Sequence, residues 1–352
     1  MSLFYAISRL KRNLFLKYFD ACYKSGNPVR PSYVVWDCTR RCNLDCIHCG
    51  SKGTEYQEEL STEEIKNIID QLSLLHIRTF QVTGGEPLLR KDLVEILNYA
   101  HLKGLNTSVA TNGFHIDVDK AKLLAKVNTS SIQISIDGSR DVNNRIRCNT
   151  ESFDKANAAI RLLKQYSGAK INVATTVMPY NINDLENLKN ILLSLKIDFW
   201  SIGTVMPVGK AKDDTSLFLS KEQFEYLLNF IINSRKELNL DIVENFPYLG
   251  KFDKKVRTSP RLCPVGILSC CIGVDGHIRG CPDQPDNEFY REGDLRTQTF
   301  AEIWENGFKR YRNKEILTSD KNCNYCYYKK ECFGGCWVMR EKSLHCIRDY
   351  SD

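Results

Sequence analysis

The chain has 352 residues, 42% of them hydrophobic, which is enough for one large domain with a smaller one beside it. Lysine and arginine outnumber aspartate and glutamate by 49 to 43, and this mild excess, spread along the chain, argues against a nucleic-acid partner. No apolar run is long enough to span a membrane, and basic residues interrupt the first twenty positions, which excludes a signal peptide. We therefore expect a cytoplasmic protein.

Residues 1–30 read as an N-terminal helical lead with one apolar face. The face is formed by Leu3, Ile7, Leu10, Leu14 and Tyr18. Such a helix either packs on its own domain or, being basic, lies against a membrane surface or a partner.

Strands and helices alternate between residues 31 and 215. The predicted strands are "YVVW" (33–36), "TFQV" (79–82), "NTSVA" (106–110), "SIQISI" (131–136), "KINVATTV" (170–177) and "FWSIGTV" (199–205). Amphipathic helices separate them, and the first helix opens with a capping box of Ser61 and Glu64. The alternation indicates parallel βα units wound as a barrel or an open sheet.

A polar or glycine-rich signature follows each of the six strands. The first strand is followed by a loop that contains cysteines. The other five strands are followed, in order, by "TGGEP" (83–87), "TNG" (111–113), "SIDG" (135–138), "MPYN" (178–181) and "MPVGK" (206–210). In a βα barrel the carboxyl ends of the strands converge on the face that holds the active site. We therefore expect these signatures to meet at one rim.

The chain loses this rhythm after residue 215. Residues 216–260 read as a helical linker, and residues 261–352 form a turn-rich second domain holding nine of the 15 cysteines. Because the chain is long and lacks an export signal, thiolates that hold metal or clusters explain these cysteines better than disulfides do.

The segment "RCNLDCIHC" places Cys42, Cys46 and Cys49 in a C-x3-C-x2-C array directly after the first strand. A structural zinc needs four ligands, and Cys38 is near enough to be the fourth, although at an unusual spacing. A [4Fe-4S] cubane held by three cysteines would instead leave one iron open.

At this point the chain resembles the radical S-adenosylmethionine (SAM) superfamily, whose signature is C-x3-C-x2-C after the first barrel strand. The resemblance implies a partial (β/α)6 TIM-like barrel, an open iron chelated by SAM, and cleavage of SAM to a 5′-deoxyadenosyl radical. The residues it implies for SAM binding are His48, Gly84, Gly85, Glu86, Pro87, Asn112, Ser135, Asp137 and Arg147. Glu86 would receive the SAM amino group and Arg147 its carboxylate, with Arg145 near enough to compete for that role.

The C-terminal cysteines are similar to the SPASM extension of radical SAM enzymes, which holds two auxiliary [4Fe-4S] clusters. This resemblance, which rests on "CNYCYYKKECFGGC" and on Gly276-x4-Cys281, implies three clusters in all; one zinc site is the alternative. The implied ligands of the outer cluster are Cys323, Cys326, Cys332 and Cys346. Those of the inner one are Cys263, Cys281, Cys336 and one of Cys270 or Cys271.

The resemblance leaves the substrate open. Many SPASM relatives cross-link or epimerise ribosomally made peptides, which we favour here; others modify tetrapyrrole side chains or aminoglycoside sugars. Many of the peptide-modifying relatives carry a leader-binding domain of several tens of residues before the barrel. Here only about 30 residues precede the first strand, too few for such a domain, so we expect a peptide to bind the barrel or a separate recognition protein. A reductant such as flavodoxin or ferredoxin would supply electrons. A pure electron-transfer protein would leave the "GGEP" motif unexplained.

The adjacent pair Cys270 and Cys271 carries one further hypothesis. Neighbouring side chains of an extended segment point to opposite sides, so only one of the two is expected to be a ligand. The other either packs as a small hydrophobe or hands a hydrogen atom to a substrate radical, as an epimerisation would require.

Overall fold

A computed structural model describes residues 29–51, 58–243, 245–257, 263–313, 321–332 and 334–341, with Lys17, Ala21 and Cys346 besides. The helical lead predicted for residues 1–30 therefore lies almost wholly outside the described residues.

One sheet of ten strands runs through the described part of the chain, in the order β10-β9-β8-β1-β2-β3-β4-β5-β6-β7. The strands are β1 Tyr33–Asp37, β2 Thr79–Thr83, β3 Asn106–Thr111, β4 Ser131–Ser135, β5 Lys170–Val177, β6 Phe199–Thr204, β7 Leu240–Ile242, β8 Ser269–Ile272, β9 His277–Arg279 and β10 Gly293–Asp294. Strands β1 to β7 are parallel, β8 is parallel to β1 on its other side, and β9 and β10 are antiparallel. The six predicted strands and the partial-barrel fold class are confirmed.

The predicted helices are also present. The described helices are α1 Thr62–Leu74, α2 Leu93–Leu102, α3 Val118–Lys126, α4 Arg140–Ile146, α5 Ser152–Tyr166, α6 Leu185–Leu195, α7 Lys221–Ser234, α8 Asp253–Val256, α9 Phe300–Asn306, α10 Lys309–Arg312, α11 Lys321–Asn324, α12 Lys329–Cys332 and α13 Trp337–Glu341. The capping box predicted for α1 is formed, since Ser61 accepts from the Glu64 N–H and Glu64 accepts from the Ser61 N–H. None of the described helices is long and apolar enough to cross a membrane.

The two faces of the sheet differ in chemistry. Val34, Trp36 and Phe80 belong to the fully buried apolar core on the outer face. The inner face carries hydrogen-bonding side chains: the Asn172 amide donates to Gln133 Oε1 at 3.1 Å. At the amino-terminal ends of the strands these polar side chains line a cavity of about 610 Å³. Closed (β/α)8 barrels fill their interior with branched apolar side chains, whereas this interior is open and polar.

Two parts of the sheet lie outside the predicted barrel segment. The stretch predicted as a helical linker, 216–260, also contains β7, which extends the sheet beyond β6. The start of the cysteine-rich segment supplies β8, which pairs with the free edge of β1. An unpaired edge exposes backbone donors and acceptors, so covering it is favourable. The cysteine-rich segment is thus built onto the barrel sheet through its first hairpin.

Candidate functional site

The loop that carries the first three cysteines is held against the "GGEP" loop by backbone hydrogen bonds. The Gly85 N–H donates to the Thr39 carbonyl at 2.6 Å, and the Glu86 N–H donates to the Arg41 carbonyl at 2.8 Å. A Cβ atom on Gly85 would lie 2.3 Å from the Arg41 oxygen. Glycine is therefore required here so that two loops from neighbouring strands can touch.

The sulfur atoms of this loop accept hydrogen bonds from polar groups of other strands. Arg147 Nη1 lies 3.9 Å from Cys46 Sγ, and Asn112 Nδ2 lies 4.0 Å from Cys42 Sγ. Burial raises the pKa of Cys46 to about 11, with the Arg147 charge opposing it. Three cysteines in one loop, two of them with such donors beside the sulfur, suit an iron–sulfur cluster, because hydrogen bonds to the sulfurs stabilise their negative charge.

Cys38, the alternative fourth ligand of a zinc site, lies elsewhere. Its side chain is fully buried in the apolar core on the outer face of the sheet. Burial raises its pKa well above the ordinary value. Within the described segments, no three His, Cys, Asp or Glu side chains are gathered to hold a single metal ion.

Glu86 is fully buried at the start of a short 3-10 helix, Pro87–Leu89. Its carboxylate accepts from the Thr111 hydroxyl at 2.6 Å and from the backbone N–H groups of Asn112 at 2.8 Å and Leu88 at 3.0 Å. Burial raises its pKa, and these donors oppose the shift. Through these hydrogen bonds the carboxylate links the loop after β2 to the end of β3. It also lies at the position where the sequence predicts SAM binding.

Asp137 and Arg147 form a buried ion pair at the rim. Arg147 Nη2 lies 2.7 Å from Asp137 Oδ2, and His48 Nε2 lies 3.8 Å from the same oxygen. The other Asp137 oxygen accepts from the Thr176 N–H at 2.9 Å. Burial lowers the pKa of His48, which favours the neutral ring. Because Asp137 and the Cys46 sulfur engage both terminal nitrogens of Arg147, its Nε is the nitrogen left without a hydrogen-bond partner.

The remaining predicted SAM-site residues lie on the same rim. Ser135 ends β4, half-buried, and Asn112 follows β3, where its amide donates to Asn43 Oδ1 at 2.9 Å. Asn43 lies inside the C-x3-C-x2-C loop, so "TNG" contacts that loop in addition to "GGEP".

The structure brings the auxiliary cysteines into two groups. Burial raises the pKa of Cys336 to about 12, and the charge of Cys263 adds to it. Burial likewise raises the pKa of Cys281, and the negative charges of Asp283, Cys336 and Cys263 add to the shift. The Cys281 and Cys336 thiols therefore lie within electrostatic reach of Cys263, and their assignment to one inner cluster stays a prediction.

The second group is the outer set. Burial raises the pKa of Cys332 to about 11, with a backbone N–H of Tyr248 opposing it and the charges of Cys346 and Cys323 adding to it. The Cys326 N–H donates to the Cys323 carbonyl at 3.1 Å, which keeps the fourth member in the same turn.

The adjacent pair on β8 separates as strand geometry demands. Cys270 pairs with Val34 and joins the apolar core on the outer face, whereas Cys271 pairs with Val35 on the inner face. The two candidates for the fourth inner ligand therefore lie on opposite faces of the sheet, and which of them is a ligand stays a prediction.

Sequence reasoning missed one charged cluster at the rim. Asp37 at the end of β1 lies 2.9 Å from Arg40 and 3.2 Å from Arg279. Arg279 is separated from Asp37 by more than two hundred positions, and no motif in the chain links the two.

The chain is similar to known families and proteins over most of its length. The family model described as "Radical SAM superfamily" matches residues 36–192, and the one described as "SPASM: Iron-sulfur cluster-binding domain" matches residues 263–327. The Fe-coproporphyrin III synthase of Methanosarcina barkeri is 31% identical over an alignment 355 residues long, which covers 90% of this chain and 85% of that protein. Mycofactocin maturase MftC of Mycobacterium tuberculosis is 28% identical over 314 residues, covering 88% and 79%.

A solved structure shares the fold. Streptococcus suis SuiB bound to precursor peptide SuiA superimposes with a TM-score of 0.72 and 18% identity, covering 92% of this chain and 75% of that one. At this identity the likeness concerns the architecture.

Proposed function

Because the chain belongs to the radical SAM superfamily and carries a SPASM domain, we propose that it cleaves SAM and modifies an unactivated carbon of a ribosomally made peptide. Cys42, Cys46 and Cys49 would hold a cluster that, when reduced by a carrier such as flavodoxin or ferredoxin, would supply the electron for cleavage of SAM to methionine and the 5′-deoxyadenosyl radical. The observation that carries the proposal is the rim itself, where the three-cysteine loop, "GGEP" and the Asp137–Arg147 pair meet.

The chain's own residues have distinct tasks in this proposal. Cys42, Cys46 and Cys49 would hold the SAM cluster, with Asn112 and Arg147 donating to two of their sulfurs. Glu86 would receive the SAM ammonium, for which a buried carboxylate is a suitable acceptor. Cys263, Cys281 and Cys336 would hold the inner auxiliary cluster, and Cys323, Cys326, Cys332 and Cys346 the outer one.

The peptide assignment is supported by one of the relatives. Mycofactocin maturase MftC is 28% identical to this chain and aligns with 88% of it, and its name describes a maturase.

The test uses anaerobically reconstituted protein with SAM and dithionite. 5′-Deoxyadenosine should form slowly without a substrate, and a short peptide encoded beside this gene should increase that rate and change in mass. Loss of two hydrogens would indicate a cross-link, and uptake of one solvent deuteron would indicate epimerisation. Failure to form 5′-deoxyadenosine would contradict the radical chemistry, and failure of SAM to bind would leave an electron-transfer protein.

A second candidate substrate is a tetrapyrrole. It is favoured by one observation, the 31% identity to an Fe-coproporphyrin III synthase over nearly the whole of both chains. By its name that relative forms Fe-coproporphyrin III, so an iron tetrapyrrole with larger side chains than Fe-coproporphyrin III should replace the peptide in the same assay. Appearance of Fe-coproporphyrin III, measured by mass spectrometry, would favour the tetrapyrrole over the peptide.

A further inference from the structure

A buried ion-pair network joins the two cysteine-rich regions of the chain. Arg279, on β9, is 1% exposed. Its Nη2 donates to Asp37 Oδ2 at 3.2 Å, and its Nη1 donates to the Gln284 carbonyl at 3.1 Å. Asp37 also pairs with Arg40, two residues before Cys42, at 2.9 Å. One guanidinium therefore connects the β9 region with the loop of the proposed SAM cluster.

The register of the sheet explains why Arg279 lies there. Cys271 pairs with Val35 of β1 on one side and with Arg279 of β9 on the other, so the three side chains share the inner face. Burial raises the pKa of Cys271 to about 12, and the Arg279 charge opposes the shift. Burial alone would lower the pKa of Arg279, but the negative groups around it, led by Cys271 and Asp37, raise it.

Arg279 also stands close to a proposed ligand of the inner cluster. Cys281 is two residues further along the chain and is among the groups whose negative charge acts on Arg279. The Cys281 N–H donates to Gln284 Oε1 at 3.2 Å, and the carbonyl of the same Gln284 accepts from Arg279. The arginine and the cysteine are thus fixed by one residue.

We propose that Arg279 is a positioning residue whose fixed positive charge raises the reduction potential of the inner auxiliary cluster. The inference rests on the proposed function, because it needs a cluster at Cys263, Cys281 and Cys336. Reduction adds a negative charge to a cluster, and a cation held nearby in a region of low dielectric stabilises that charge. An inner cluster tuned in this way accepts an electron from a substrate radical more readily than an untuned one does.

The alternative is that Arg279 only fastens β9 to β1. The experiment therefore measures potentials rather than activity, on the full chain reconstituted with iron and sulfide, by EPR-monitored redox titration. Cys281→Ala and Cys326→Ala identify the inner and outer signals by their loss. Arg279→Gln removes the charge, and Arg279→Lys keeps it without the planar fork. Arg296→Gln is the control, because Arg296 lies in the same segment and pairs with Glu64 of α1 at 2.9 Å.

We expect Arg279→Gln to keep its iron and to show a more negative potential for the inner cluster, with the outer potential unchanged. Arg279→Lys should restore most of the difference, and Arg296→Gln should match the wild type. If Arg279→Gln loses about four irons, its inner potential is not measurable and Arg279→Lys decides the question. A wild-type inner potential in Arg279→Lys then supports the charge role, because that variant keeps the positive charge. The proposal is overturned if the inner potential of Arg279→Gln is unchanged. It is also overturned if the inner potential of Arg279→Lys falls although that variant keeps the charge. Because no substrate is present, failure of the proposed peptide chemistry would leave this measurement unaffected.

Discussion

At the scale of single residues, the buried polar side chains of the rim are already engaged with one another. Glu86 accepts three hydrogen bonds from the protein, and Arg147 is paired with Asp137. A ligand entering this rim meets groups whose orientation is fixed in advance, which reduces the entropy lost on binding. The same arrangement means that a substitution here can act on the ligand or on the loops.

Glu86→Gln, compared with a variant at Thr111, separates these two effects. Replacing the carboxylate by an amide removes the charge that would pair with the SAM ammonium, and it also turns one acceptor of the loop hydrogen bonds into a donor. The SAM dissociation constant should rise about 10- to 150-fold, corresponding to roughly 1.5–3 kcal/mol for a hydrogen bond to a charged group. Equilibrium dialysis on reconstituted protein measures it.

Thr111→Val is the matched control for Glu86→Gln. It removes the hydroxyl that donates to Glu86 at 2.6 Å and leaves the carboxylate in place. SAM binding should stay near the wild-type value while the free energy of unfolding falls by about 1–3 kcal/mol, the cost of unsatisfied buried groups. Equal losses of affinity in both variants would mean that Glu86 acts by supporting the loop.

The pair on β8 gives the second prediction. Cys270 packs in the apolar core, so Cys270→Ala should keep all of its iron and lose about 1–2 kcal/mol of stability. Cys271→Ala alters the inner face instead and should behave differently. It either loses about four irons, as a ligand would, or keeps its iron and forms 5′-deoxyadenosine without product, as a hydrogen donor would.

Iron analysis and product assays on both variants check this. The opposite result would be loss of iron from Cys270→Ala together with full iron and activity in Cys271→Ala. It would show that Cys270, and not Cys271, acts at the cluster or the substrate.

At the scale of elements, the function depends on how loops after neighbouring strands fit together. Parallel strands end at one edge, so the loops after β1, β2 and β3 converge without any long-range motif. The close approach of Gly84 and Gly85 to residues 39–41 fixes the start of the cysteine loop. The helices and their caps carry the stability, while these loop contacts set the geometry of the site.

Gly85→Ala should therefore damage the site more than the fold. The new methyl group would lie 2.3 Å from the Arg41 oxygen, so the cysteine loop has to move. We expect loss of about four irons and of SAM binding, with a cost of about 1–3 kcal/mol from overpacking and an unchanged far-UV circular dichroism spectrum.

Gly168→Ala is the matched control, because nothing lies within 4 Å of a Cβ atom at that position. It should keep its iron and bind SAM normally. Full iron in Gly85→Ala would show that the two loops need not touch for the cluster to bind.

At the scale of the whole molecule, the cysteine-rich segment and the barrel are one sheet at their junction. Strand β8 pairs with β1, and the strand carrying Arg279 pairs with β8. The auxiliary clusters proposed for this segment would therefore be joined to the barrel sheet by backbone hydrogen bonds.

The cluster count tests the whole arrangement. Reconstituted protein should hold about twelve irons per chain, and the Cys42→Ala/Cys46→Ala/Cys49→Ala variant should hold about eight, since three cubanes of four irons are proposed. Iron and zinc analysis with Mössbauer spectroscopy measures this. Four or fewer irons in the intact protein, or stoichiometric zinc, would contradict the two auxiliary clusters.

The sequence by itself determined the order and type of the barrel elements and the positions of the loops that bear the chemistry. Strand alternation, helix caps such as Ser61–Glu64, and the C-x3-C-x2-C spacing are local patterns, and local patterns are readable without a fold. The convergence of "GGEP" and "TNG" on the cysteine loop also followed, because parallel strands bring their ends together.

Only the tertiary structure decided which side chains meet. The short strands β7 to β10 carry too few residues to show a period, so their place in the sheet depends on pairing with strands distant in sequence. That pairing places Cys270 in the core and Cys271 in the barrel. It also gives Asp37 a partner in Arg279. Partners of this kind depend on register and packing across the whole chain, and spacing along the sequence does not specify them.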